Sequence, residues 1–287
     1  MDNLPISVII IVKNAEGTIG KCLESVRKNN PAEIIVVDGN SADRTVEIAG
    51  EYTEKIYLDE GRGKSYARQL GVEMATQEYI AYVDSDVFLM ENTLRTMLNE
   101  FRNSSCASMC AREATDREYS NYWNWTRLQQ QSVRFEVHLS TRAGLFNRET
   151  ILKYPFDFSH GGYMDDLDLE LRLRKDGYDF GVSSAFFHGQ SIGLRSLVGQ
   201  RYVYGRAATR YIWKYGPWHV SFWPPLVTLY WLGFCLIKGR LKLIPYFVVD
   251  GIIQTVGMVT GCFELIGEAF TRKADNKDIP SKKDDVI

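Results

Sequence analysis

Three short, almost purely apolar runs constrain this chain most: Ser7–Val12, Ile34–Val37 and Tyr79–Val83. A strand with one face in water alternates apolar and polar residues, whereas a continuous apolar run must be covered on both faces. Between the runs, Ile19, Leu23 and Val26 recur at helical spacing within Thr18–Lys28. Val46 and Ile48 lie in a further helix, for which Ser41 is the expected cap. Ile56–Leu58 reads as a short strand, and Lys64–Ala75 and Thr93–Phe101 read as helices. Strands alternating with helices predict an α/β fold with a mostly parallel, Rossmann-like sheet flanked by helices. Ligands of such sheets bind beyond the carboxyl ends of the strands. The residues at those ends are Lys13-Asn14, Asp38-Gly39 and Asp84-Ser85-Asp86.

Composition removes several function classes. With 45% hydrophobic and 24% charged residues the chain can build a core and is not a disordered one. Lys+Arg 34 against Asp+Glu 36 leaves a net charge of −2, so no basic excess suggests a nucleic-acid partner. The five cysteines (22, 106, 110, 235 and 262) show neither CxxC nor Cys/His zinc spacing and are expected to be reduced thiols. Met1–Asn14 has no basic stretch before its apolar run and no small-residue cleavage site. It is therefore not expected to be a signal peptide, and the chain is expected to begin in the cytoplasm.

The clearest chemical signal is Asp84-Ser85-Asp86, two carboxylates closing a buried strand. A divalent cation on a diphosphate needs hard oxygen ligands and neutralised charge, and Asp-x-Asp supplies both. A lone Asp-x-Asp is as readily a solvated turn, so its context decides. Asp38 is placed to accept from a nucleobase edge, with Gly39 allowing close backbone approach; a capped β-to-α turn is the plainer alternative. Gly61-Arg62-Gly63-Lys64 opens a helix, and Lys64 and Arg68 share one of its faces. Cations at a helix N-terminus oppose its dipole, which suits an anion such as a pyrophosphate.

In this order the segments resemble the family 2 glycosyltransferases of the GT-A fold, over about residues 5–215. Val12-Lys13-Asn14 comes first, then Val36-Val37-Asp38-Gly39-Asn40-Ser41-Ala42-Asp43-Arg44-Thr45, close to the family's VVDDGSxDxT but lacking its second paired Asp. Ala67-Arg68-Gln69-Leu70-Gly71 stands where the family often has Arg-Asn-x-Gly, and Asp84-Ser85-Asp86 closes the run. The resemblance implies nucleotide contacts from Lys13, Asn14, Asp38, Lys64, Arg68 and Asp84. It implies a Mn2+ or Mg2+ ion held by Asp84 and Asp86, with His188 near the metal or diphosphate; a structural histidine is the other reading of His188.

The second half supplies the acceptor side. Thr141–Arg148, with Gly144, resembles the family's strand leading into a short helix beneath the acceptor. Gly161–Arg172 resembles its acidic E-D-x-D-L-x-x-R segment, with Asp165 in place of Glu. Asp166 matches the expected base and Asp165 is the second candidate; an acidic first turn that merely suits the helix dipole is the alternative. Ser191–Tyr215 is Arg-rich, and Arg201 or Arg206 is expected to meet the departing diphosphate; a helix docked on an acidic surface is the other reading. Gln200-Arg201-Tyr202 does not match the Q-x-x-R-W of processive relatives such as cellulose synthase.

The expected domains are 1–215 (GT-A, donor half 1–115 and acceptor half 116–215), 216–270 (membrane-associated helices) and 271–287 (a disordered charged tail). Val220–Ile237 is uncharged, with Pro224-Pro225 expected to disturb it, and Leu243–Phe263 is apolar apart from Asp250. A hairpin spanning fully would put Lys238–Lys242 outside, against the positive-inside tendency; a re-entrant or interfacial pair would keep it at the cytoplasmic face. A helical dimer interface in a soluble protein is the other reading. The expected function is inverting, metal-dependent transfer of a sugar from a GDP- or UDP-linked donor. The acceptor would be lipid-linked, a polyprenyl phosphate or an oligosaccharide on one, at the cytoplasmic face of the cell membrane. Similarity to dolichyl-phosphate mannose synthases favours GDP-mannose. The rivals are a sugar-nucleotide nucleotidyltransferase, which needs a glycine-rich basic loop after the first strand, and a non-catalytic membrane scaffold.

Overall fold

The computed structural model describes residues 3–114, 121–132, 138–158, 164–216 and 223–275. The chain divides into two compact units, Met1–Gly193 and Leu194–Ile287.

In the first unit the apolar runs become β1 (Leu4–Val12), β2 (Pro31–Asp38) and β4 (Tyr79–Val83), with β3 (Ile56–Leu58) at one edge. The intervening helices are α1 (Ile19–Lys28), α2 (Thr45–Gly50) and α3 (Lys64–Met74). After β4 come β5 (Val87–Leu89), α4 (Thr93–Arg102), β6 (Ser108–Glu113), α5 (Tyr122–Ser132), β7 (Ala143–Asn147), α6 (Arg148–Lys153), α7 (Asp165–Lys175) and β8 (Phe180–Gly189). Among the described residues the strands form one sheet in the order β3-β2-β1-β4-β7-β6-β8-β5. The β3-β2-β1-β4 half is parallel, as expected. Antiparallel β7 then enters between β4 and β6, β8 runs parallel to β6, and β5 pairs antiparallel to β8.

Both faces of the sheet are covered, which is why the runs do not alternate. Ile6, Val8 and Ile10 of β1 pack towards α1 and α4, with Ile19, Leu23, Leu94 and Met97. Ile9 faces the other way, with Val72 of α3 and Leu169 and Leu173 of α7. Gly71 lets α3 seat on β1, since a Cβ there would meet Ile9 Cγ2 at 2.4 Å.

Ser41 does not cap α2. That helix begins at Thr45, whose backbone N–H donates to Asp43 Oδ1 (3.0 Å), while Ser41 turns back onto Asp38.

The second unit holds α8 (Leu194–Tyr215), α9 (Pro224–Ile237), a 3₁₀ turn at Leu241–Leu243 and α10 (Ile244–Asp275). The expected boundary at 215 falls instead after Gly193, because α8 packs along α10. Pro224 and Pro225 occupy the first positions of α9, where a missing N–H costs nothing, so they start the helix rather than disturb it. Val220–Phe222 lie outside the described residues. Residues 271–275, expected in a disordered tail, continue α10; 276–287 lie outside the described residues. Leu241–Glu268 is long and apolar enough to cross a membrane by length and composition.

Candidate active site

The loops following β1 and β2 are laced together. Asn14 N donates to Ser41 Oγ (2.8 Å), and Ala42 N donates to Asn14 Oδ1 (2.8 Å). Ala15 N donates to Thr45 Oγ1 (2.7 Å) and Glu16 N to Asp43 Oδ2 (3.1 Å). Asn14 has φ 50°, which Asn tolerates better than most residues. Its side chain is committed to this lacing, whereas Lys13 is exposed beside it. Asp38 is 2% exposed and accepts from both the N–H and the hydroxyl of Ser41. The residue expected to read a base edge is thus the anchor of its own turn.

Asp59, which the sequence reading passed over, completes this floor. It is 4% exposed, and its carboxylate accepts from Gly61 N (2.8 Å) and Gly63 N (3.2 Å). It follows β3 as Asp38 follows β2, so the strand-end rule applied to Ile56–Leu58 would have named it.

Arg68 joins the two halves of the unit. It is 7% exposed; its Nη1 pairs with Asp165 Oδ2, and its Nη2 lies 3.8 Å from Asp84 Oδ1. Ser65 Oγ donates to the same Asp165 oxygen (3.2 Å). Arg68 is therefore spent inside the protein and is not an open anion ligand, in contrast to the expectation. Lys64, on the same helix, is exposed and close enough to Asp84 to favour its charged form.

Asp84 follows β4, with its backbone N–H on Arg142 O (3.0 Å) and its carbonyl receiving Val87 N (2.9 Å) in a tight turn. Burial raises the Asp84 carboxyl above its ordinary range, Arg68 opposes this, and Asp86 adds to it. Arg142 approaches the same pair from β7's side, held by Glu113 and lying over the Phe187 ring at 5.3 Å. Glu113 is itself held by Arg127. Arg142 stands in the Thr141–Arg148 segment expected from the resemblance, yet it and Glu113 were missed, because β6 was not read from the sequence and their pairing joins two distant segments.

On α7, Asp165 is 4% exposed while Asp166 is half-buried. Burial and the Asp165 carboxylate push Asp166 up to about 6, against the pull of Arg68. Asp165 is clamped by Arg68 and Ser65, so its carboxylate is committed to tying α7 to α3. Gly161-Gly162 lie outside the described residues.

Four other expected site residues are employed elsewhere. His188 lies within β8 opposite Phe88 and lines a groove with Lys21, Ser25 and Met90, so it does not join Asp84 and Asp86. The alternation of β8 is the reason: Gly189 faces Arg142 and Glu113, and His188 points the other way. Gly144 sits inside β7, where a Cβ would meet Ser140 O at 2.0 Å, so its smallness serves chain packing. Arg201 and Arg206 pair with Asp250 (3.0 Å) and Glu264 (2.6 Å) of α10.

Among the described residues no three His, Cys, Asp or Glu groups converge as a metal set. Asp84 and Asp86 still fit a cation that shares its ligands with a diphosphate. Such ions use one or two carboxylates, and the Asp86 charge disfavours the ionised form of Asp84, which a cation would favour.

The mixed sheet, flanked by helices, carries carboxylates at the β4 end and on α7. Residues 7–161, more than half of the chain, match the model of glycosyl transferase family 2, and the chain belongs to that family. It is 32% identical over 187 residues to the uncharacterised glycosyltransferase YibD of Escherichia coli, covering 56% of this chain and 54% of that one. It is 25% identical over 197 residues to beta-monoglucosyldiacylglycerol synthase of Trichormus variabilis, covering 61% and 42%. The chain thus spans about half or less of the length of these relatives. The GT-A fold is shared with the mannosyltransferase PcManGT of Pyrobaculum calidifontis in complex with GDP-Man and Mn2+: TM-score 0.64, 15% identity, 91% of this chain and 88% of that one.

Proposed function

We propose that this protein transfers a single hexose, with inversion, from a nucleotide-diphosphate sugar to a lipid-linked acceptor at the cytoplasmic face of the cell membrane. The main support is the Arg68 bridge, which ties Asp84 on the donor side to Asp165 and so sets Asp166 at the same site. The nucleoside lies over the laced loops at the ends of β1 and β2, beside Lys13 and Asp59. Lys64 and Arg142 face the diphosphate. Asp84 and Asp86 would hold Mn2+ or Mg2+, which neutralises the departing diphosphate when bound.

Asp166 takes the proton of an acceptor hydroxyl while that oxygen attacks the anomeric carbon and the bond to the diphosphate breaks. A carboxyl with a pKa near 6 is ionised at neutral pH yet more basic than an ordinary Asp. A base is needed for a hydroxyl acceptor, whereas a polyprenyl phosphate is already anionic. This favours a lipid-linked saccharide over the bare phosphate. The GDP-Man and Mn2+ of the mannosyltransferase neighbour make GDP-mannose the first donor to test, with UDP-glucose second. The lipid product named for the synthase relative supports a lipid acceptor.

Radiolabelled GDP-mannose and UDP-glucose offered to membranes carrying the protein, with Mn2+ or with EDTA, test this directly. Label should enter the organic-extractable lipid fraction only with metal. Donor hydrolysis without lipid labelling would point to a soluble acceptor, and no turnover of either donor would refute the donor assignment.

A further inference from the structure

Resting on the membrane reading above, we infer that α10 does not cross the bilayer. It lies in the plane of one leaflet, with its outward stripe in the acyl boundary and α8 on its watery side.

The two faces of α10 are chemically opposite. Asp250, Gln254, Gly257, Gly261, Glu264 and Glu268 recur at four- and three-residue steps and meet α8. Arg201 pairs with Asp250 (3.0 Å), Arg206 with Glu264 (2.6 Å) and Arg210 with Glu268 (2.8 Å). A Cβ at Gly257 would meet Tyr202 O at 2.1 Å, and one at Gly205 of α8 would meet Gln254 O at 1.9 Å. The partners rise together along both helices, so α8 and α10 run side by side in the same direction. Ile252, Val256, Val259, Phe263 and Ile266 follow the same steps two residues on, about 200° around the axis. They are 47–70% exposed.

A single crossing of α10 would carry α8 through the bilayer beside it. That helix bears Arg195, Arg201, Arg206, Arg210 and Lys214, and each cation at bilayer depth is costly. Nor can α9 serve as a return span, since its 14 residues reach about 21 Å against a core of about 30 Å. An in-plane α10 meets both constraints: apolar stripe down, ion-paired face up. The rest of the unit agrees. Leu229, Leu236 and Ile237 of α9 are 64–82% exposed, and Lys238, Arg240 and Lys242 follow at the turn, where anionic headgroups would meet them. A shallow apolar groove between Val198 and Tyr202 of α8 and Ile252 and Val256 of α10 marks the border of the stripe where the two helices meet. The occupant is thus a bilayer with anionic lipid, to which the exposed apolar stripe and the adjoining basic turn are together complementary.

The test uses full-length protein in sealed membrane vesicles from expressing cells. Lys242→Cys and Gly267→Cys mark the two ends of the apolar stretch; a Cβ at Gly267 meets nothing within 4 Å. A membrane-impermeant maleimide is applied before and after permeabilisation, and labelled sites are read by peptide mass spectrometry. Both positions should label together from one face, while Phe263→Cys, within the outward stripe, is protected until detergent is added. Labelling of the two ends from opposite faces would overturn the in-plane placement and leave membrane attachment intact. Recovery of the protein in the soluble fraction, as a dimer or otherwise, would overturn both. In flotation with phosphatidylglycerol-containing vesicles, the pair Val256→Asn and Phe263→Asn should lower binding by about tenfold or more, with nucleotide binding unchanged.

Discussion

Arg68 and Asp165, 97 residues apart, form a buried ion pair that fastens the start of α3 to the start of α7. Asp84 and Asp86 follow β4 and Asp166 follows Asp165, so this pair fixes how far apart the proposed donor and acceptor carboxylates lie. Burial disfavours the Arg68 cation, but Asp165, Asp84 and Asp166 together raise its pKa, so it stays charged.

Arg68→Met should leave Asp165 buried without its counter-charge and cost about 3–5 kcal/mol of stability. Arg68→Lys keeps the charge but loses the two-armed fork. It should fold, bind donor nearly as wild type and turn over about 100-fold more slowly, the scale of a misplaced catalytic group. Steady-state kinetics beside thermal melts separate these outcomes. A Lys variant with wild-type kcat would remove Arg68 from the positioning role.

Asp166→Asn should keep donor affinity and lower kcat about 100-fold or more, because the amide cannot take the proton. The pH profile carries the sign. Asp166 is raised to about 6 and acts ionised, so log kcat/KM should climb with pH up to about 6 and level off above it. That limb should vanish in the Asn variant. If it persists there, the titrating group is another one.

Asp86→Ala should weaken Mn2+-dependent donor binding by about tenfold or more, while leaving the much weaker metal-free binding as it was. Isothermal titration with GDP and UDP, with and without Mn2+, reads both terms. His188→Ala should leave the metal term unchanged, since His188 lies in the groove with Lys21 and Met90.

Glu113 supports Arg142 and the acid limb of stability. Burial raises its carboxyl, but hydrogen bonds and charge from Arg127 and Arg142 outweigh this and hold it below the ordinary range. A depressed folded pKa stabilises fully above the unfolded value of about 4.3 and is lost as pH falls through the folded one. Glu113→Gln should therefore cost about 3 kcal/mol at neutral pH. It should also flatten the fall in Tm below pH about 4. Equal melting temperatures for the two proteins at pH 7 would contradict this.

Gly257→Leu should separate α8 from α10, because the backbone of Tyr202 occupies the space. Detergent-solubilised protein should lose several degrees in Tm, whereas Gly267→Ala, with open space around it, should not. A tolerated Gly257→Leu would mean that the two helices do not pack this closely.

By itself the sequence determined the parallel half of the sheet. Continuous apolar runs admit only a doubly covered strand, and the carboxylates at their ends follow from chain order alone. Asp84 and Asp86 stand out in that way, whereas Asp166 and the family itself were read from the resemblance of the ordered segments. Tertiary structure decided what each polar residue is free to do. Arg68, Arg201 and Arg206 read as anion ligands because a sequence shows a cation without its partner; the partners, Asp165, Asp250 and Glu264, lie 49 to 97 positions away. Gly144, expected beneath the acceptor, is taken up by the approach of Ser140, and His188 pointed the wrong way once β8 set the alternation. Periodicity along the chain fixes which face a residue joins. Only the packing of distant segments fixes what it meets there, because burial must pair each charge it encloses.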